Sequence, residues 1–155
     1  VFRDMRLIPF LRRPDPMPPV QFYEQLDPAV FVLRLVPGMR ADIIPLLAPH
    51  YRALVVESFG VGGLPGGEHG EMYARLQDWC TSGRLAVFTT QVPHEGCDLA
   101  VYEVGRSVKE LPGVLEAKDM TPEAVAVKLM WALGQTTDRA EAMRLFTTPV
   151  EWDIV

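Results

Sequence analysis

Three short apolar runs, at residues 30–36, 53–57 and 85–89, are separated by stretches of helical character. A half-exposed strand alternates apolar and polar residues. Near-continuous apolar runs of this kind, rich in β-branched residues, are instead the mark of strands covered on both faces. Between the first two runs, residues 41–47 form a short helix candidate, with Asp42 and Pro45 suited to its first turn. Between the second and third, Met72, Leu76 and Trp79 fall at helical spacing over residues 71–81, and Ser82-Gly83 closes the helix. Strand and helix in strict alternation require a parallel sheet joined by right-handed crossovers. The predicted fold is α/β and three-layered: a small parallel sheet of about four strands with helices on both faces, Rossmann-like.

The remainder of the chain fits that plan. Residues 105–111 read as a short helix stopped by Pro112-Gly113, and Val114-Leu115 as a very short fourth strand. Thr121 and Pro122 are a cap and a first helical residue, so a helix over 122–133 is predicted. It should bury Ala126, Leu129, Met130 and Leu133 and stop at Gly134. Asp138 caps a last helix over 139–146.

Residues 1–28 are different. Pro9, Pro14, Pro16, Pro18 and Pro19 crowd the start, and proline offers no N–H and restricts its preceding neighbour. This stretch is expected to be an extended, linker-like segment without regular structure, lying against a surface through its aromatic residues. Residues 29–155 are expected to be the folded domain. The whole chain has 155 residues, enough for one domain with a real core.

Composition narrows the function classes. A net charge of −5 argues against nucleic acid as a partner. Arg34, Arg52 and Arg84 interrupt or flank every apolar run, so none approaches the ~18 residues of a membrane span. The opening residues lack the apolar stretch of a secretory leader. Two cysteines, Cys80 and Cys97, imply no disulfide framework and fit a reducing cytoplasm.

In a parallel sheet, ligands bind where loops leave the carboxyl ends of the strands. Here those loops are 57–70 and 89–104. The first is rich in glycine, but Pro65 breaks a dinucleotide fingerprint and no Gly-Lys-Ser/Thr ends a phosphate loop. A flexible connection and a backbone-lined pocket both remain open for it. The second contains His94, Glu95, Cys97 and Asp98, which fit no standard zinc spacing and read as a solvated loop. His50 and His69 read as surface residues, and Cys80, beside Trp79, as core. No serine-hydrolase elbow or metalloprotease motif is present, and no metal or cofactor is expected.

Five motifs in order resemble the C-terminal domain of L-asparaginases, most closely the cytoplasmic type I branch. They are Leu35-Val36-Pro37-Gly38, the stretch from Ala53 to Pro65, Thr89-Thr90-Gln91, Tyr102-Glu103-Val104-Gly105, and Asp119 to Ala124 with Lys128-Leu129. In that family an N-terminal domain supplies a nucleophilic threonine in a Thr-Gly-Gly-Thr-type loop and hydrolyses asparagine to aspartate and ammonia. That motif is absent from this chain. The resemblance therefore implies a chain with no catalytic residues of its own, inactive alone. Its partners would be an N-terminal catalytic domain, the amino acid asparagine and further copies in a homo-oligomer.

The resemblance also assigns residues. Glu103 corresponds to a carboxylate that helps bind the substrate's α-amino group, with Tyr102 as its positioning neighbour. Gly62 and Gly63 stand where relatives often have Gly-Asn, and this chain contains no asparagine at all. Some type I enzymes carry an effector site, whose matching residues here would be Glu57, Ser58, Thr90 and Gln91. Glu57 and Val92 stand in place of that site's arginine and cysteine, and Glu57 would repel a ligand carboxylate. The alternatives are a stand-alone module binding a small amino acid and a dimerisation module.

Overall fold

The computed structural model describes residues 19–66, 70–150 and 153–154, and the backbone of two short strands before them. Those strands, β1 (Phe2–Arg3) and β2 (Arg6–Leu7), pair antiparallel. The expectation of no regular structure in residues 1–28 fails there. His69 lies outside the described residues.

The main sheet contains β3 (Val30–Arg34), β4 (Ala53–Ser58), β5 (Leu85–Thr90) and β6 (Val114–Glu116), all parallel and in that spatial order. Every residue of β4 is buried. Its successive side chains feed opposite faces: Leu54 and Val56 enter one core, Ala53 and Val55 the other. On the first face lie α1 (Ile43–Leu47), α2 (Glu71–Thr81) and α3 (Glu103–Lys109), through Ile44, Leu76, Trp79 and Val108. On the second lie α4 (Pro122–Gln135) and α5 (Arg139–Thr147), through Val125, Leu129, Ala132 and Phe146. This is the expected three-layer α/β architecture. All three crossovers use the same face, so the strand order never reverses.

Several local expectations are corrected. β3 is an edge strand, and its Val32 and Arg34 are exposed, so its apolar run is not covered on both faces. Asp42 makes no capping bond to α1; its carboxylate is held by Arg40 at 2.7 Å. α3 begins two residues before the predicted start, at Glu103. Thr121 and Asp138 do cap, accepting from the N–H groups of Ala124 and Glu141.

α4 differs most. It runs through Gly134 to Gln135, and its buried stripe includes Val125, Lys128 and Ala132, with Ala126 and Met130 only partly covered. The reason for Gly134 is a close neighbour. A methyl group there would lie 2.5 Å from the Gln25 carbonyl oxygen. Residues 23–27 run along this helix: Asp27 N–H donates to the Met130 carbonyl at 2.9 Å, the Gln135 amide to that of Gln25 at 2.8 Å, and Tyr23 meets Trp131 edge-on. Asp27 then takes the Arg52 guanidinium at 2.6 Å, fastening the segment to the start of β4.

An alanine at a solvent-facing helical glycine normally adds up to about 1 kcal/mol. Gly134→Ala is expected to lose about 1–2 kcal/mol instead, because backbone must move to admit the methyl group. Urea denaturation measures it, and a more stable variant contradicts this packing.

Candidate functional site

The carboxyl ends of β4 and β5 lie side by side, with Glu57 opposite Thr89 and Ser58 opposite Thr90. The register brings Glu57, Ser58, Thr90 and Gln91 together, as the family resemblance groups them. Their polar atoms are engaged within the domain. Ser58 Oγ donates to the Thr89 carbonyl at 2.8 Å, and Thr90 Oγ1 donates to that of Gly60 while accepting the Val92 N–H. The Gln91 amide donates to the carbonyls of Leu35 and Glu57, at 2.7 and 2.9 Å. One side chain thus ties the exits of β3 and β4 together. Glu57 is buried and faces Arg34 at 3.3 Å.

The glycine loop is a tight turn. Phe59 and Gly63 exchange both backbone bonds, and the Gly62 N–H also reaches the Phe59 carbonyl. The N–H groups of Gly62 and Gly63 are therefore engaged inside the turn. Gly62 is small for a packing reason: a methyl group there would sit 3.0 Å from the Leu99 side chain. The Val61 carbonyl accepts the Asp98 N–H at 3.0 Å, joining the two loops.

Tyr102 completes the junction. A methyl group on Gly60 would lie 3.2 Å from its hydroxyl, so the phenol lies against the bare backbone of the glycine loop. Glu103 follows as the first residue of α3, exposed to solvent. Among the described residues its carboxylate has no ion-pair partner. The structure therefore presents the Glu103 carboxylate unpaired beside a rim whose Ser58, Thr90 and Gln91 side chains are engaged.

What holds the 97–103 turn was not singled out in the sequence. It is Glu116, at the end of β6. Its largely buried carboxylate accepts the Leu99 N–H at 2.8 Å and pairs with Lys109 at 2.9 Å and Lys118 at 3.2 Å. Burial pushes this carboxyl upward, but the bonds from Lys109, the Leu99 N–H and Lys118 outweigh it, leaving the pKa below its ordinary value. The readable signal was an acid at a strand's carboxyl end with lysine two residues on. Only the placement of Leu99 and Lys109 gives it meaning.

The 90–98 loop is less solvated than expected. His94, Glu95 and Asp98 are exposed, but Cys97 is buried beside Leu99 in the core of the first face. Burial, with the Glu116 charge nearby, pushes the Cys97 thiol up to about 12. Burial likewise pushes Cys80 up to about 11, opposed by Arg139. Among the described residues no group of three His, Cys, Asp or Glu side chains could hold a metal ion, and no helix is long and apolar enough to cross a membrane.

Fold and rim together define a parallel α/β domain that commits Ser58, Thr90 and Gln91 to its own backbone and leaves the Glu103 carboxylate unpaired beside them. The chain belongs to the glutaminase/asparaginase C-terminal domain family, whose model matches residues 29–146. It is 37% identical over 133 residues to the L-asparaginase of Thermococcus kodakarensis, a match covering 86% of this chain and 40% of that enzyme. It is 36% identical over 140 residues to a glutamyl-tRNA(Gln) amidotransferase subunit of Metallosphaera sedula, covering 90% of this chain and 30% of that protein. The chain thus spans less than half the length of these relatives. Among solved structures, the thermostable L-asparaginase of T. kodakarensis superposes with a TM-score of 0.77 at 36% identity, over 84% of this chain and 39% of that one. L-asparaginase I of Vibrio cholerae gives 0.73 at 25% identity, over 83% and 38%.

Two outcomes test the site's physics. Glu116 is more acidic folded than unfolded, so its contribution is complete above the unfolded pKa of about 4.3 and is lost as pH falls through the folded value. The stability gap between wild type and Glu116→Gln is expected to be constant near neutrality and to close in acid, read from urea midpoints across pH. A gap that widens in acid reverses the assignment. Cys80 and Cys97 should both resist alkylation at about pH 8 until the chain is unfolded, because their thiolates are suppressed and covered.

Proposed function

We propose that this chain serves as the C-terminal domain of an L-asparaginase-like amidohydrolase that converts asparagine to aspartate and ammonia. Here it contributes substrate-binding groups and oligomer contacts, and it is inactive alone. The observation that carries this reading is the free carboxylate of Glu103 at the sheet's carboxyl rim. A carboxylate facing the substrate's α-ammonium forms a charge-assisted hydrogen bond, about twice as strong as a neutral one. Tyr102, seated on Gly60, fixes where Glu103 begins its helix. Gly62 and Gly63, packed against Leu99 and Phe59, set the shape of the turn beside the substrate. The nucleophile comes from an N-terminal domain, to which residues 1–28 are the connection, and the assembled enzyme is cytoplasmic.

The effector reading of Glu57, Ser58, Thr90 and Gln91 gives way in this proposal to a structural one. Their donors brace strand exits, and Glu57 presents negative charge where an amino acid's carboxylate would have to sit. A second reading, as part of a tRNA-dependent amidotransferase, is favoured by the Metallosphaera sedula match. The net charge of −5 weighs against tRNA contact by this domain.

The 155-residue chain alone is expected to release no ammonia from asparagine. Mixed with a purified N-terminal asparaginase domain, it should restore turnover. In that complex Glu103→Gln should raise KM about tenfold or more while lowering kcat less, as loss of ground-state binding requires. Robust hydrolysis by the chain alone, or an unchanged KM in Glu103→Gln, defeats the proposal.

A further inference from the structure

We propose a second site, at the opposite edge of the sheet, that binds a small phosphate-bearing anion through Arg52, Arg84 and Arg139. These three arginines line one cavity of about 370 Å³ with His50, Ser82 and Thr137 at the amino ends of β4 and β5. That volume is at the small end of the range for ligand sites. Glu103, Thr90 and Gln91 lie beyond the other end of the same strands, so this site is independent of the amidohydrolase reading.

The arginines are held in place. Arg84 donates to the carbonyls of Tyr51 and Ala48 and to Ser82 Oγ, and its guanidinium stacks 5.2 Å above the Trp79 ring. Arg139 donates to the Cys80 carbonyl at 3.2 Å and lies against Gly113. A methyl group on Gly113 would come within 2.3 Å of its Nη2, so that turn is open only to glycine while Arg139 occupies it. Arg52 is oriented by Asp27 and the Leu133 carbonyl. A guanidinium has five N–H donors, and Arg139 uses one of them within the domain.

Charge is left over. Among the described residues Asp27 is the carboxylate paired with this trio, and Arg84 and Arg139 have no acidic partner. Of the carbonyls they touch, that of Ala48 caps the C-terminal end of α1, that of Cys80 lies in the last turn of α2, and that of Tyr51 lies just ahead of β4. Each helix end offsets at most about half an elementary charge. The cavity therefore stays positive within a chain that is acidic overall. A carboxylate brings two acceptor oxygens and a single charge, whereas a phosphoryl group brings three acceptor oxygens and a higher charge. Three guanidinium groups around one cavity suit the phosphoryl group better.

Isothermal titration of the 155-residue chain with inorganic phosphate and with a phosphomonoester such as AMP tests this, with chloride at matched ionic strength as control. Saturable binding at millimolar concentration or below is expected, weakened about tenfold or more by Arg139→Gln and less by Arg139→Lys. Tighter binding of the monoester would identify a phosphorylated metabolite; equal binding would identify free phosphate. Should Arg139→Gln fail to fold, amide shifts of Gly83 and Thr137 in the wild-type chain report the same event. No saturable heat, an equal response to chloride, undiminished binding by Arg139→Gln, or shifts confined to other residues would each overturn the proposal.

Discussion

The burial of β4 on both faces is the constraint on which the rest depends. Its six residues are sealed from water, and alternate side chains enter two separate cores. At about 25 cal/mol per Å² of apolar surface, each Leu or Val removed from water contributes on the order of 1.5–3 kcal/mol. Neither core can be removed without exposing half of this strand. The register with β5 follows from it, and that register sets Ser58 against Thr90 and brings the two polar loops together.

One-way winding decides what the rim can do. In doubly wound sheets a crevice opens where the strand order reverses, and ligands settle there. This sheet proceeds from β3 to β6 without reversal. Its carboxyl edge is consequently a rim without a built-in crevice. Gln91, Thr90 and Ser58 consolidate that rim by bonding to carbonyl groups around it. The proposed role follows from this shape: the rim offers a carboxylate to a pocket whose other walls come from elsewhere.

Much of the fold was legible because hydrophobic period and chain order constrain it directly. The four strands, the helix over Glu71–Thr81 and the caps at Thr121 and Asp138 could all be read from residue types and spacing. What could not be read depended on neighbours distant in sequence. Gly134 looks like a helix stop until the Gln25 backbone is seen against it. Cys97 looks solvated until the turn around Leu99 folds it inward. The run at Val30–Arg34 looks fully covered because edge position is a property of the sheet, not of the strand. In the candidate site, the grouping of Glu57, Ser58, Thr90 and Gln91 was legible, but their bonding to main-chain carbonyls was not. The role of Glu116 was only half legible for the same reason: Lys118 stands two residues on, but its partners Leu99 and Lys109 precede it by 17 and 7 positions.

The knot of Asp27, Arg52 and the Gln25 backbone has a consequence for leverage. It fastens the incoming polypeptide at the foot of the strands, while Glu103 stands at their head. Six strand residues at about 3.3 Å each separate the two levels by roughly 20 Å. If the proposed N-terminal domain is tethered through that knot, it either folds back along the height of the sheet to meet the Glu103 of its own chain or meets that of a neighbouring copy. Under the proposed function, the position of one ion pair thus makes the choice of active site for Glu103 a matter of reach.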